Sequence, residues 1–566
     1  MSPASFIPLL LSRVAIGLLV LTLGPRAYCQ APPAWQWARA STSANDVWPS
    51  KMITDPAGNV YVGGTFIEPL TLAPGTVFNS QGQQDAYVAK YSPSGALLWA
   101  QHLAGDGMDD VAGLALDTAG NLCLAGNCSS SMQLGSLSLS PPYGAALYLA
   151  RLSAQGQPLW LSQATNTGVR AQNMGLDAAD NFYVSGQISG TVGFGSLSLS
   201  TVNGIDIFLA KFDPQGEAVW ARQGGRVALL PGGPAVMTVN HTLTVSPAGD
   251  CYLSCTLNSQ FGSFGALQTP AGYGAYDVVL VKYDGQGTPR WLQRYGSGLA
   301  DYAGNTALDA NGHLLATMRF AGSFAGGPTA VGSQTLTGTG LYFASLLQLD
   351  AATGALGWAR TISADRNCFF RSIAIDAAGN SYVAGSITGT ATVGTQQLSS
   401  VGSINGDALV VSYSPQGSVR WAQQSGSYLD EGADLVSLDG TGQLAVMGFF
   451  RGEGRFGSTT LTSPATPNNS ASGWVARLAG LPTATQPTAG PLALAFYPNP
   501  ATDQLHLPTL AAGSRVQFLD ALGRVARDTQ VSAGALVSVR GLTPGFYTVR
   551  AITAKGQHLT GGLLVE

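Results

Sequence analysis

The chain has few charged residues and few histidines, and both shortages narrow the range of functions that it can have. Only 10% of its 566 residues are charged and the net charge is −4, whereas about 25% of an average soluble protein is charged. The basic residues are scattered, so there is no electrostatic footprint for nucleic acid or for an anionic membrane surface. The five histidines recur at no common position, which gives no support to a histidine-dependent triad. We predict no catalytic constellation.

Apolar runs long enough to anchor the chain in a membrane are also missing. Near the N-terminus, Ser12-Arg13 precedes an apolar run over residues 14–23, and the small-residue segment Ala27-Tyr28-Cys29 follows it. This order is typical of a secretory signal peptide, and the run is too short for a stable anchor. We expect residues 1–29 to be removed, with cleavage after Ala31 or lipid attachment at Cys29 as the alternatives. No transmembrane segment would remain.

Cysteine is scarce for an exported protein. Five would remain after cleavage, an odd number without regular spacing, which argues against a disulfide framework. A metal site would need a tighter cluster with histidine beside it. We therefore expect buried free thiols at Cys123, Cys128, Cys251, Cys255 and Cys368.

Glycine, by contrast, is abundant, with 73 residues, and the chain repeats itself. A tryptophan followed by a small or apolar residue returns at intervals of about 60 to 70 residues, which indicates a repeat architecture. The recurring residues are Trp37, Trp99, Trp160, Trp220, Trp291, Trp358 and Trp421. We expect them to fill layers between neighbouring units; exposed platforms for sugars are the alternative.

Each unit has the pattern of four short strands. After Trp358 the chain runs through an apolar segment at 372–375, a turn at 376–380, and strands at 381–385 and 407–413 before the next tryptophan. In the turn an aspartate caps the backbone and a glycine supplies a positive φ, as a short hairpin requires. No helical periodicity separates the strands, so the units are typical of four-stranded β-propeller blades.

The two ends of the repeat region complement each other. The last unit stops at Leu478 without a tryptophan-bearing strand, and the first unit begins with an extra one at 35–39. Pairing the two would complete the last blade and remove two exposed sheet edges. The sequence thus predicts an all-β fold with a seven-bladed propeller over residues 30–478, in which the N-terminal strand closes the last blade.

The units resemble the seven-bladed β-propeller repeats of secreted bacterial proteins. The resemblance rests on the pattern Asp-x-x-Gly-Asn-x-Tyr-Val-x-Gly, which is complete at 376–385. Two turns depart from it: one carries Asp180 where glycine is expected, and another begins with Ser246. The resemblance implies the fold and export more than it implies an activity.

The composition changes after Leu478. Residues 479–491 are rich in threonine, proline and glycine, as in an extended linker. Alternating strands follow over residues 492–566, and they predict a small Ig-like β-sandwich.

This last segment resembles the type A sorting domain of the type IX secretion system. The resemblance is carried by Tyr497, Pro498, Asn499, Pro500, Gly523, Gly545 and Tyr547. The family implies the type IX secretion machinery as a partner and transit across the outer membrane, often with removal of the domain and attachment to lipopolysaccharide. The final strand, 561–566, lacks the basic residue frequently seen there. We expect a secreted or outer-surface protein of a Gram-negative bacterium.

Carboxylates are the remaining candidates for a functional site. One set lies in loops before the innermost strands, and a second set opens the third strand of several units. The sets are Asp46, Asp110, Asp301 and Asp430, and Asp85, Asp206, Asp277 and Asp407. Acids around a propeller mouth could hold Ca²⁺, bind sugar hydroxyls or, in pairs, hydrolyse glycosides. An aspartate that starts a strand also commonly caps its loop, and this simpler role competes with the functional one.

Two main functions stay open. The first is a non-enzymatic propeller that binds a ligand or partner, such as a polysaccharide or a surface protein. The alternative is an extracellular glycan-acting hydrolase or lyase. The scarcity of histidine and the even repetition of the acids favour binding, and no cofactor beyond Ca²⁺ is indicated. A structural matrix component would have the same sequence features.

Overall fold

The computed structural model describes residues 30–141, 145–166, 168–225, 241–258, 262–322, 329–332, 334–401, 406–426, 429–464, 470–479, 492–494, 496–508, 510–520, 524–552 and 558–566. The predicted signal peptide, residues 1–29, lies outside these ranges. The chain divides into two compact units, Met1–Gly480 and Leu481–Glu566. Within the described ranges the regular elements are all β-strands, and no helix there is long and apolar enough to cross a membrane.

The strands of the first unit are, in chain order, β1 (Trp35–Ser41), β2 (Val47–Thr54), β3 (Val60–Phe66), β4 (Leu70–Ala73), β5 (Thr76–Phe78), β6 (Asp85–Tyr91), β7 (Leu97–Gly105), β8 (Gly113–Leu116), β9 (Leu122–Cys128), β10 (Met132–Leu134), β11 (Leu137–Leu139), β12 (Ala146–Leu152), β13 (Pro158–Gln163), β14 (Val169–Leu176), β15 (Phe182–Phe194), β16 (Leu197–Phe212), β17 (Ala218–Gly224), β18 (His241–Val245), β19 (Cys251–Asn258), β20 (Ser263–Phe264), β21 (Leu267–Gln268), β22 (Tyr276–Tyr283), β23 (Pro289–Tyr295), β24 (Tyr302–Leu308), β25 (His313–Ala321), β26 (Thr329–Val331), β27 (Gln334–Leu336), β28 (Tyr342–Asp350), β29 (Leu356–Ile362), β30 (Asn367–Ile375), β31 (Ser381–Thr388), β32 (Thr390–Val393), β33 (Gln396–Ser399), β34 (Asp407–Tyr413), β35 (Val419–Ser425), β36 (Glu431–Leu438), β37 (Leu444–Phe450), β38 (Glu453–Phe456), β39 (Thr459–Thr462) and β40 (Ser472–Leu478). Those of the second unit are β41 (Leu492–Ala493), β42 (Gln504–His506), β43 (Arg515–Leu519), β44 (Val525–Gln530), β45 (Leu536–Ser538), β46 (Gly545–Ile552) and β47 (His558–Val565).

A four-stranded antiparallel ladder recurs along the first unit. In the first ladder β2, β3, β6 and β7 pair in that order, with Val62 opposite Met52 on one side and Ala89 on the other. The same order of pairing builds the ladders β8-β9-β12-β13, β14-β15-β16-β17, β18-β19-β22-β23, β24-β25-β28-β29 and β30-β31-β34-β35. Short hairpins such as β4-β5 and β32-β33 lie between the second and third strands.

The two ends of the first unit meet in one sheet. Strand β1 pairs with β40, with Ala38 opposite Ala476, and β37 and β36 complete this ladder. The first strands of the ladders contact one another in chain order, and β36 contacts β2. The N-terminal strand therefore covers what would otherwise be an open sheet edge.

Apolar layers separate neighbouring ladders. One layer joins Leu147 and Leu149 of β12 with Phe182 and Val184 of β15, and all four side chains are fully buried. Each ladder contributes one face to the layer on either side, so its middle strands are buried on both faces. A single ladder could not bury both faces without its neighbours.

The recurring tryptophans bind each ladder to the next. The indole Nε1 of Trp37 donates a hydrogen bond to the Pro93 carbonyl at 2.8 Å. Gly95 in the same turn has a φ of 79°, and a Cβ built there would lie 2.6 Å from the Trp37 ring, so only glycine permits this approach. The same indole bond joins Trp99 to Ala154, Trp220 to Gly285, Trp291 to Ala351 and Trp358 to Pro415. For these five tryptophans the prediction of a position between units is confirmed.

The Asp-x-x-Gly turns form as predicted. The Asp55 carboxylate accepts a hydrogen bond from the Asn59 amide at 2.8 Å, and Gly58 has a φ of 85°. Where the glycine is replaced, Asp180 itself takes a φ of 61°. Its carboxylate accepts hydrogen bonds from the Thr118 amide and hydroxyl in the preceding ladder, which offset the cost of the left-handed backbone.

The five cysteines within the described ranges are buried and free, as expected. Burial raises the pKa of the Cys128 and Cys368 thiols to about 12. They therefore remain protonated and unreactive at neutral pH.

The second unit has its own apolar core. Strands β41, β47, β46, β43 and β44 form one sheet in that order, and β42 pairs with β45. Leu505, Val516, Phe518, Val549 and Leu563 are fully buried in this core.

Candidate binding site

A cavity of about 940 Å³ lies where the first strands of the ladders converge. Residues of β2, β8, β14, β18, β24, β30 and β36 line it, and these are the strands that contact one another in a circle. We call it the central cavity. Its walls combine aromatic rings, side-chain amides and charged groups. The described lining residues of those kinds include Trp48, Tyr302, Phe369, Phe370, Gln84, Gln172, Asn173, Gln187, Asn305, Lys51, Arg170, Arg319, Arg371, Asp110 and Asp434.

A β-bulge interrupts the first strand of several ladders at one register position. The pairing shifts between Pro49 and Lys51, Ala171 and Asn173, Ala303 and Thr306, Phe370 and Ser372, and Ala433 and Leu435. Among the extra residues are Ser50, Gln172, Arg371 and Asp434, which all line the cavity. Bulges redirect side chains from the alternation of a regular strand, and here they bring polar groups to the cavity wall.

Lys51 links two ladders that are not neighbours in the chain. It lies on β2, and its Nζ donates hydrogen bonds on β14 to the Gln172 carbonyl at 2.8 Å and to Asn173 Oδ1 at 3.3 Å. Asn173 continues the polar chain by donating to the His241 carbonyl on β18. Burial lowers the pKa of Lys51 to about 8, an effect that Asp110 opposes, and burial lowers the pKa of His241 to about 4. His241 is therefore neutral at pH 7.

Asp110 holds the second and third ladders together. Its Oδ1 accepts hydrogen bonds from the Asn127 amide at 3.0 Å and from the Asn127 side chain at 2.9 Å. Asn127 in turn bonds to the backbone of Ala171 on β14 in both directions. Burial raises the pKa of Asp110, whereas Asn127 and the cations Arg170 and Lys51 act to lower it.

Aromatic rings surround one arginine in the wall. The guanidinium carbon of Arg319 lies 4.1 Å from the ring centre of Tyr302, 4.6 Å from that of Tyr342 and 5.5 Å from that of Phe369. The guanidinium of Arg371 lies 4.9 Å from the same Phe369 ring. Arg371 Nε also lies 3.1 Å from Asp434 Oδ1. Burial lowers the pKa of Arg319, and the nearby charge of Arg371 adds to this effect.

The acids predicted to open third strands all have protein partners. Each is buried and accepts a hydrogen bond from a side chain on the fourth strand of its own ladder. The pairs are Asp85 with His102, Asp206 with Gln223, Asp277 with Arg294 and Asp407 with Gln424. Three of these acids also accept a backbone amide from their own loop, at Gln81, Tyr273 and Val401.

The acids predicted before the innermost strands lie in different surroundings. Asp46 accepts the Ala471 amide at 2.7 Å, Asp301 accepts the amides of Ser297 and Ala321, and Asp430 accepts the Gly406 amide at 3.3 Å. Of the eight predicted acids, Asp110 is the one found among the described cavity-lining residues. The described part of the chain contains no group of three or more histidine, cysteine or acidic side chains arranged to hold a metal ion.

Buried carboxyls also meet at junctions between ladders. Desolvation raises the pKa of Asp109 to about 8, and the charge of Asp85 adds to the shift. Glu431 has a pKa raised to about 8 by desolvation, with Asp407 adding to it. The pKa of Asp301 rises to about 6 for the same reasons, with Asp277 as the neighbour. At each of these junctions, one carboxyl is therefore neutral or partly neutral near pH 7.

Sequence reasoning missed Lys51, Arg319 and the aromatic residues of the cavity. The predicted acids lie in loops before the first strands and at the starts of third strands, whereas the cavity takes its character from cations and rings on the strands that line it. Aligning the repeated units at their first strands is the sequence signal that could have indicated most of the residues lining the cavity. The bulges that bring Gln172, Arg371 and Asp434 to the cavity wall leave no clear mark in the sequence.

Some residues of the sorting motif are exposed on the second unit, and others are held by hydrogen bonds within it. Tyr497 is 57% exposed, and the Asn499 side chain bonds to the backbone of Gly562 and Leu564 on β47. The Tyr547 hydroxyl donates to the Thr543 carbonyl at 2.8 Å. Gly523 lies outside the described residues.

Residues 495–566 match the family described as a secretion system C-terminal sorting domain. No curated protein matches the chain. A Bacteroides caccae protein of unknown function has 11% sequence identity and a TM-score of 0.31, with 60% of this chain and 89% of that chain covered. A quinohemoprotein alcohol dehydrogenase from Pseudomonas putida has 10% identity and a TM-score of 0.36, with 85% and 80% covered. Puromycin hydrolase has 11% identity and a TM-score of 0.40, with 92% and 61% covered.

The sorting domain defines the class of protein: an all-β protein with a C-terminal secretion signal. It is delivered to the cell surface or the extracellular space by type IX secretion, and this confirms the predicted location.

Proposed function

We propose that the exported protein is a seven-bladed β-propeller, over residues 30–478, that binds a saccharide in its central cavity without transforming it. The proposal also includes a signal peptide at 1–29, a linker at 479–491 and an Ig-like sandwich at 492–566. Support for a closed ring comes from the pairing of β1 with β40 and from the contact of β36 with β2. A ring leaves no ladder with an uncovered face.

The observation that carries the binding proposal is the composition of the cavity wall. Trp48 is 42% exposed there, although large aromatic side chains in this unit are otherwise mostly buried. An exposed ring offers a flat apolar face for a sugar ring. The amides of Gln172 and Asn305 line the same cavity and can pair with hydroxyl groups.

The cavity favours binding over glycan hydrolysis or elimination. Its two described carboxylates are each engaged by a neighbour, Asp110 by Asn127 and Asp434 by Arg371. A glycosidase needs one carboxyl as acid and a second as base or nucleophile, both directed at the substrate. Of the acids expected at the site, Asp110 retains a place in this proposal through its position in the wall.

The test uses the full exported chain and soluble bacterial, algal and plant polysaccharides. A saccharide that binds the native state raises the melting temperature in a saturable way. Trp48→Ala should abolish the shift, whereas Leu98→Ala should keep it, because Leu98 is 52% exposed on β7 away from the described cavity lining. The proposal fails if no saccharide shifts the melting temperature, or if Trp48→Ala binds as tightly as the wild type. Release of shorter products from the bound glycan would favour the enzyme instead.

A further inference from the structure

The central cavity is cationic inside a protein that is acidic as a whole. Its described lining contains four cationic side chains, Lys51, Arg170, Arg319 and Arg371, and two carboxylates. The whole chain has a net charge of −4. A concave surface with a charge opposite to that of the whole protein concentrates ligands of the complementary sign.

Arg319 is a cavity cation that aromatic rings, rather than a carboxylate, surround. No carboxylate within the described ranges forms an ion pair with it, and its Nε is buried without a hydrogen-bond partner. Aromatic faces hold the guanidinium instead, with ring centres of Tyr302 and Tyr342 at 4.1 and 4.6 Å. Stacking occupies the faces of the guanidinium, and Tyr302 also hydrogen-bonds to it. An anion in the cavity would be bound in the plane of the guanidinium, by N–H groups that neither Tyr302 nor the buried Nε position takes up.

Arg371 brings a second positive charge to the same aromatic ring. It stands at the bulge of β30, its side chain is 45% exposed, and both it and Arg319 contact the Phe369 ring. Asp434 neutralises one of these two guanidinium groups in part. The remaining positive charge faces a cavity that also carries Arg170, which is exposed.

We propose that the central cavity binds an acidic saccharide, whose carboxylate or sulfate group is held by Arg319 and Arg371. This inference rests on the proposed function and adds the chemical class of the ligand. Planar guanidinium groups bind carboxylate and sulfate oxygens through two parallel N–H bonds, with more energy than a neutral hydrogen bond gives. Trp48, in the same wall, stacks on a sugar ring of the chain.

The experiment compares the binding of charged and uncharged oligosaccharides to the full exported chain. Isothermal titration at low ionic strength uses tetragalacturonate, its fully methyl-esterified form and a sulfated galactan oligosaccharide. At least one of the two acidic oligosaccharides should bind, at least about tenfold more tightly than the neutral ester, and added salt should weaken it. The carboxylate and sulfate arms identify which group the arginines hold. This comparison needs no variant, so it holds even if a substitution disturbs folding.

The variants locate the charge recognition. Arg319→Gln should weaken binding of the acidic oligosaccharide by about tenfold, and Arg319→Lys should give an intermediate loss because it keeps charge without the planar fork. Arg222→Gln, an exposed arginine on β17, should bind as the wild type does. Equal binding of the ester and the acid, with Arg319→Gln unaffected, would overturn the inference and leave the binding function standing. Failure of every saccharide, including the neutral polysaccharides, would overturn the proposed function itself.

Discussion

Replacing Asp109 by asparagine should stabilise this protein at neutral pH. Asp109 is fully buried, and neither of its carboxyl oxygens has a hydrogen-bond partner among the described residues. Desolvation and the neighbouring charge of Asp85 raise its pKa from 3.8 to about 8. The folded state thus holds a proton that the unfolded chain has lost by pH 7. Each pKa unit corresponds to about 1.4 kcal/mol, so the burial costs up to about 4 kcal/mol at pH 7.

The sign of the pH dependence follows from the raised folded-state pKa. The contribution of Asp109 to stability is fully present below about pH 4 and is lost as the pH rises towards 8. Asparagine has nearly the same shape as aspartate and cannot ionise, so it avoids the cost of the buried charge. The free energy of unfolding of Asp109→Asn should therefore match that of the wild type near pH 4 and exceed it increasingly up to pH 8.

Urea titrations of the exported chain at several pH values between 4 and 9 measure this difference. The matched control is Glu217→Gln, which removes one carboxylate from an exposed turn. A stability difference between Asp109→Asn and the wild type that stays constant from pH 4 to pH 9 would refute the reasoning. Glu431 and Asp301 have raised pKa values as well, so the wild type should lose stability over the same range even after the Asp109 share is subtracted.

Two further predictions concern the contacts that join the ladders. Gly95→Ala should lower the free energy of unfolding by roughly 2–3 kcal/mol, and Gly75→Ala should lower it by only about 1 kcal/mol. Both glycines have a φ near 80°, but only at Gly95 would the new Cβ meet a ring, that of Trp37. Equal losses in urea titrations would contradict the proposed tight turn-to-ring contact. Arg477→Met should cost about 3–5 kcal/mol, because Arg477 is buried against Asp439 and donates to the Gly58 carbonyl of the first ladder, so its loss leaves a buried charge. The control Arg455→Met should cost less than about 1 kcal/mol, because the Arg455 side chain is 72% exposed and lies only within 4.0 Å of Glu453. An equally small loss for Arg477→Met would show that its contact does not support ring closure.

Much of the first unit could be predicted because its information is local and repeated. The turn that Asp55 caps and the strand pairs that follow it depend on residues a few positions apart. The tryptophan spacing made the units visible, and the contacts of Trp37 with the turn at Gly95 explain why the spacing is kept. The sorting domain could be predicted because its motif is short and contiguous.

The candidate site could not be predicted to the same extent. The residues around Arg319 come from separate strands: Tyr302 and Tyr342 lie on other strands of the same ladder, and Phe369 lies on the next ladder. No local sequence pattern marks them as neighbours. An acid that starts a third strand was predicted to bind a ligand, but Asp277 accepts a hydrogen bond from Arg294, 17 residues later in the chain. Such partners on adjacent strands depend on pairing register, which one sequence reveals only in outline.

The amino-acid sequence by itself determined the all-β character, the repeated four-strand unit and the export of this protein, because turn residues, alternating apolar positions and a contiguous sorting motif act over short distances. The tertiary structure alone decided the character of the central cavity. There, strands from distant repeats bring cations and rings into one space, and bulges in several of these strands add polar residues such as Arg371. The shifts in pKa arise only once those strands lie side by side.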